Sequence, residues 1–211
     1  MRTRILLAVF FASALAGAPV CNAQVDPLDD LLGTEPTEVI LLPNHMIPTQ
    51  RVFWGEKGLM RRTDRFSLTP EHRQDELKLR RIMLTTHQAL GIATMVGMIG
   101  QGIVGARLYG GDESMKDLHE GLAGAVNVTY FTTAGLSLFA PPGMLDERKG
   151  INSIKVHRAL AVVHLSAMIA TNILAEGIED DERGSTTRAL HRAAAYTAFG
   201  SYAAAMIVIK F

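Results

Sequence analysis

The sequence predicts an all-α protein, an integral membrane four-helix up-down bundle with an N-terminal signal peptide and a short extramembrane segment. Three observations carry this. Four long stretches lack charge, turn residues break the chain between them, and each stretch brings one histidine at a matched position. Residues 82–106, 121–145, 159–175 and 193–209 contain no Asp, Glu, Lys or Arg. A spanning helix needs about 20 apolar residues, within a range of about 17–25, so all four qualify. The breaks are Tyr109-Gly110-Gly111-Asp112, Pro141-Pro142-Gly143 and the acidic run Glu176 to Glu182 that ends at Gly184.

A soluble bundle is the competing fold. Its helices would keep a polar face, with charges recurring every three or four residues, and these runs have none. The first stretch carries Gly91, Gly97, Gly100, Gly102 and Gly105. Each glycine costs roughly 1 kcal/mol against alanine in a water-exposed helix. Inside a membrane, small residues let helices or a flat ligand approach closely, and Ala193–Ala195, Gly200 and Ala203–Ala205 serve the fourth stretch in the same way.

Residues 1–23 read as a secretory signal: Arg2 and Arg4, an apolar run from Ile5 to Leu15, then Cys21-Asn22-Ala23 before Gln24. A cut after Ala18 would leave Pro19 beside the scissile bond, and Val20 spoils a lipobox at Cys21. An uncleaved signal anchor is the alternative. Removal of the signal takes away the only cysteine. That excludes disulfides, iron–sulfur clusters, thiolate zinc sites and c-type haem attachment. Residues 24–78 are polar and proline-rich, too thin for a core of their own. They are expected to wrap on something else, with a short helix starting near Thr69-Pro70-Glu71. Residues 79–211 form the helical domain. The net charge of zero points to no nucleic-acid partner.

Five of the seven histidines, His87, His119, His157, His164 and His191, lie in this helical half. Ionisable groups at membrane depth are costly and usually functional. His87 lies 21 residues before Leu108, His119 lies 22 before Pro141, His157 lies 19 before Glu176, and His191 lies 20 before Phe211. Short connections make consecutive helices antiparallel. His87 and His157 therefore reach one depth on diagonal helices, and His119 and His191 another, roughly 20 Å along the axis. Facing imidazoles across a bundle core are the axial ligation of a b-type haem, so two haems b are expected on four ligands. Arg158 and Arg192, each next to a ligand histidine, are candidate donors to haem propionates; the alternative is that they snorkel to water as interfacial anchors. His164, two turns deeper than His157, is expected to be a buried histidine and not the ligand of its helix. Carboxylate di-iron sites need several acids inside the bundle, and only Glu120 lies near the spans.

His87-Gln88-Ala89-Leu90-Gly91 through Gly105-Ala106-Arg107-Leu108-Tyr109, together with Val156-His157-Arg158-Ala159-Leu160, resembles the first and third core helices of the cytochrome b561 family. His119 and His191 match the remaining ligand positions by order and spacing. The resemblance spans residues 75–211. It implies transmembrane electron transfer through two haems b, one near each face. It also implies an unidentified donor and acceptor, with quinol, an ascorbate-like reductant or a periplasmic redox protein as donor. The chain departs from better-known members in having four mature spans and the extra His164. The expected setting is a multi-pass protein among the lipids of a bacterial inner membrane, with its N-terminal segment extracytoplasmic and room for oligomers. A ferric or ascorbate-radical reductase, with a pocket at one haem edge lined by basic residues such as Arg148 and Lys149 or Arg183 and Arg188, and a haem-free membrane scaffold are the competing functions.

Overall fold

The structure is a computed structural model, and it describes residues 40–144, 150–179 and 185–210. The proposed signal, residues 24–39, Arg148, Lys149, Asp180 to Glu182 and Arg183 lie outside the described residues. Those described belong to one compact unit, Val39–Phe211. It is all-helical, with no strand among the described residues.

Short helix α1 (Pro48–Trp54) and two 3-10 turns lead into α2 (Pro70–Tyr109), followed by α3 (Lys116–Leu138), α4 (Ser153–Glu179) and α5 (Ser185–Lys210). Thr69 caps α2 by accepting from the His72 amide at 3.3 Å, and Pro70 opens its first turn. From there the helix runs unbroken for 40 residues, about 60 Å. The boundary expected at residue 78 thus falls inside a helix, because nothing between Pro70 and Arg81 breaks one. At its far end Gly111, with φ of +99°, turns the chain.

Sequential helices are antiparallel. Space for a Cβ at Gly91 is bounded by Thr133, at Gly97 by Val126 and at Gly105 by His119, which sets the register of α2 against α3. His157 with Ala205 and His191 with Thr171 set α4 against α5. The two hairpins meet through Tyr130 with His164, a reciprocal amide pair between Asn127 and Asn172, and Tyr202 with the Gly91 carbonyl. Met98, Val126, Tyr130, Ala167, Met168, Ala198 and Tyr202 form the core at this junction.

The distribution of residue types is inverted relative to a soluble helix. On α2 the buried positions include Gly91, Thr94 and Met98, while Ile92, Val96, Ile99 and Ile103 are exposed. Val128 on α3, Val162 and Ile173 on α4, and Ile207 on α5 are also exposed. Among the described residues, α2 and α4 are long and apolar enough to cross a membrane. The sequence expectation was four such helices; α3 and α5 spread glycine, alanine and threonine through their apolar faces.

The uncharged stretch 121–145 is not helical to its end. α3 stops at Leu138, because Pro141 and Pro142 supply no N–H to continue it. The carbonyls left over are taken one after another by side chains from residues 40–80. Thr49 Oγ1 reaches Leu138 O (2.6 Å), Trp54 Nε1 reaches Phe139 O (2.9 Å) and Gln50 Nε2 reaches Ala140 O (3.3 Å). Arg80 Nη1 donates to Pro141 O (2.6 Å) and Arg73 Nη2 to Pro142 O (2.9 Å). The polar segment before α2 is therefore a clamp on the end of α3.

At the centre of the clamp Glu76, fully buried, pairs with both Arg61 and Arg73. Removing one partner of a buried ion cluster strands the others in low dielectric, at a cost of about 3–5 kcal/mol. Glu76→Gln is therefore expected to lower the thermal unfolding midpoint of detergent-solubilised protein sharply. Lys78→Gln, at an exposed pair with Asp75, should change it little; equal effects would show that the clamp does not depend on this cluster.

Candidate functional site

The antiparallel register places the histidines in two diagonal pairs. His87 on α2 faces His157 on α4, with ring centroids 6.4 Å apart. His119 on α3 faces His191 on α5, with centroids 6.5 Å apart. These are the pairs that helix parity predicts, and His164 joins neither.

Three of the four rings are oriented alike. Nδ1 of His87 lies 2.8 Å from Thr133 O, Nδ1 of His157 lies 2.9 Å from Ala205 O, and Nδ1 of His191 lies 2.9 Å from Thr171 O. A carbonyl only accepts, so each Nδ1 carries the proton and Nε2 keeps its lone pair. Metal-bound histidines are held in this way, the second nitrogen tied to a backbone oxygen. Thr133 and Thr171 each return their hydroxyl to the carbonyl four residues back, at 2.7 and 2.8 Å. Such back-bonding bends helices slightly, and two of the three carbonyl acceptors belong to these threonines.

His119 is held differently. Gln101 Nε2 lies 3.2 Å from His119 Nε2 and 3.1 Å from the His119 carbonyl, while His119 Nδ1 is buried without a hydrogen-bond partner. Gly105 makes room for this ring: a Cβ there would stand 2.8 Å from His119 Cε1.

An imidazole nitrogen binds a first-row metal at about 2.0–2.1 Å and its ring centre lies about 1.1 Å further, so a linear nitrogen–metal–nitrogen axis separates ring centres by about 6.3 Å. Both pairs have that separation. The donor set is imidazole alone; among the described residues no group of three or more His, Cys, Asp or Glu is placed to hold a metal ion. Two nitrogens suit a metal whose remaining positions are filled by a macrocycle, as in haem. The unpartnered Nδ1 leaves the His119 ring without the backbone tie that holds the other three. The Gln101 contact to Nε2 has to be given up for that nitrogen to bind.

Of the arginines expected nearby, Arg192 stacks over Tyr109, 4.4 Å from the ring centroid, and over Tyr196 at 5.3 Å. Arg158 is exposed beside His157, within electrostatic range of half-buried Arg80. Gln101 and the carbonyl acceptors were not singled out from sequence, while Gly105 was one of five glycines expected to permit close approach. For Gly105 a signal existed, since glycine mid-helix needs a reason; the carbonyls leave no trace in residue identity.

His164 is buried, its Nδ1 2.6 Å from the Tyr130 hydroxyl, with its ring 5.0 Å from that of Tyr202. It lies midway along α4 between His157 and Thr171, whose carbonyl holds His191. No protein-family model, curated protein or solved structure matches the chain.

Tyr130→Phe keeps the ring and leaves a buried imidazole nitrogen unpaired, which costs about 1–3 kcal/mol. Chemical or thermal unfolding is expected to record that loss, with partial recovery in the double variant Tyr130→Phe, His164→Leu. A single variant as stable as the parent would mean that the hydroxyl carries no weight at the hairpin junction.

Proposed function

We propose that α2 to α5 form a membrane-embedded four-helix bundle that holds two haems b and carries electrons between its two ends. The observation that carries this reading is the pair of diagonal histidine contacts with ring centres 6.4 and 6.5 Å apart. The large apolar residues exposed on the outer faces of α2 to α5 support a lipid environment. When bound, a haem between two imidazoles supplies one-electron transfer at a saturated iron.

The chain's residues have separable tasks in this reading. His87 and His157 would hold one group, and His119 and His191 the other. Thr133, Ala205 and Thr171 fix the tautomer of three ligands by accepting the Nδ1 proton. On α4, 14 residues separate His157 from Thr171, about 21 Å of helix, so the sites are stacked and distinct. Between them Tyr130, His164 and Tyr202 fill the interior and exclude water. Arg158 and Arg192 stand beside ligands where propionates would leave the bundle, although Arg192 is also engaged with two tyrosine rings. The protein's likeness to the cytochrome b561 family, in histidine order and in the segments around His87 and His157, agrees with this assignment. Donor and acceptor follow only as classes: a quinol, an ascorbate-like reductant or a periplasmic redox protein on one side, and ferric iron or a radical on the other.

The contact between Gln101 and His119 favours one competing reading, a haem-free scaffold whose histidines only join helices. A reduced-minus-oxidised spectrum with pyridine haemochrome quantitation separates the two. Two extractable, low-spin haems per chain are expected. His87→Ala and His157→Ala should each remove the same potentiometric wave, and His119→Ala and His191→Ala the other. Absence of haem from protein purified under haem-replete expression would sink the proposal.

The proposed signal puts the clamp and the His87–His157 end outside the cytoplasm, in an inner membrane of bacterial type. The basic residues near that end oppose this, since cytoplasmic loops usually hold the excess of Lys and Arg. Alkaline phosphatase fused after Phe211 is expected to be active and a fluorescent protein there dark. The reverse pattern would invert the topology.

A further inference from the structure

The two ends of the helical unit carry opposite charge. The antiparallel packing gathers the start of α2, the end of α3 and the start of α4 at the His87–His157 end. Among the described residues, 40–81, 139–144 and 150–158 at this end hold eleven Lys and Arg against five Asp and Glu. At the His119–His191 end, the described residues 107–120, 176–179 and 185–192 hold four against six.

The imbalance reaches the sites themselves. Arg80 lies seven residues before His87 on a continuous helix, on the same face and about 10 Å away along the axis. It is half-buried and faces two more arginines, Arg158 and Arg73. Burial first, and then repulsion from these two, weaken the hold of the Arg80 guanidinium on its proton. The buried acid Glu76 is shared between Arg61 and Arg73. At the other end the basic groups are offset locally. Arg107 pairs with Asp112 at 2.7 Å, and Lys116 with Glu120 at 3.7 Å, while Glu120 is the sequence neighbour of His119. Arg192 is the cation nearest His191, with Arg188 one turn before it.

We infer that the His87–His157 site has the higher reduction potential of the two, so that an electron shared between the sites rests there and flow runs from the acidic end to the basic end. This rests on the two-haem reading. Each site would bring the same two propionates, so the difference comes from the protein. Adding an electron to a site lowers its charge by one, and surrounding cations favour that while carboxylates oppose it. The transfer itself is balanced: the iron of one site is oxidised by one electron and the iron of the other is reduced, with no atom exchanged.

The test is a potentiometric titration of the full-length, haem-loaded protein, the waves assigned with His87→Ala and His119→Ala. The wave lost in His87→Ala should be the higher one. Arg80→Gln and Arg158→Gln should move that wave alone to lower potential, changing its reduced-to-oxidised ratio at fixed ambient potential by up to about tenfold. Glu120→Gln should raise the other wave alone, by a smaller amount because the group is exposed. Arg80 also binds the Pro141 carbonyl, so Arg158 and Glu120, both exposed, keep the test open if Arg80→Gln does not fold, and Arg80→Lys should restore the parental value. Two haems with the opposite order of potentials, or with waves that ignore all three substitutions, overturn this inference and leave the two-haem reading standing. Protein without haem overturns both.

Discussion

An imidazole shielded from water has to hand its N–H to an acceptor, and for the half-buried histidines of an all-helical bundle the acceptors at hand are backbone carbonyls of neighbouring helices. His87, His157 and His191 each meet this requirement across a helix pair, α2 to α3 or α4 to α5. One bond therefore does three things. It ties the helices of a hairpin together, it fixes the tautomer, and it aims the remaining nitrogen away from that neighbour toward the diagonal helix. The separation of the His87–His157 pair follows from this orientation. Where the bond is missing, at His119, a glutamine and a glycine from α2 position the ring instead.

The hairpins themselves are joined at mid-height by polar and aromatic contacts. Tyr130 with His164, Asn127 with Asn172 and Tyr202 with Gly91 all cross between them. An apolar core would give little net attraction if lipid surrounded the helices, because hydrocarbon outside is as good a solvent as hydrocarbon inside. Directed hydrogen bonds between helices keep their value there. The same reasoning explains why Ile92, Val96, Ile99 and Ile103 of α2 can lie outward while Thr94, Tyr130, Thr133 and His164 lie inward.

Outside this helical interior, the clamp solves a problem created by Pro141 and Pro142. They end α3 and leave a row of carbonyls with no continuing helix to satisfy them. Side chains from α1 and from the first turns of α2 take each one in order. The two arginines among these donors bring positive charge close to the His87–His157 end. Structural capping and the electrostatic environment of the candidate site are thus linked through Arg73 and Arg80.

Residue identity and spacing alone determined a good deal. Four long uncharged runs between glycine and proline breaks indicated four long helices, and α2 to α5 contain them apart from the end of the second run. The near-equal distance of each histidine from its helix end, combined with antiparallel connection, determined which histidines share a level. That much is one-dimensional arithmetic. The tertiary structure decided what has no such signature. Thr133, Thr171 and Ala205 act through carbonyls that every residue possesses, and Gln101 acts through a contact 18 residues distant in the chain. The clamp could not be read from its polar, proline-rich sequence, because its partners are backbone oxygens and its ion cluster joins Arg61 to a helix 15 residues on. Periodicity places side chains on faces; only packing decides which atoms those faces meet.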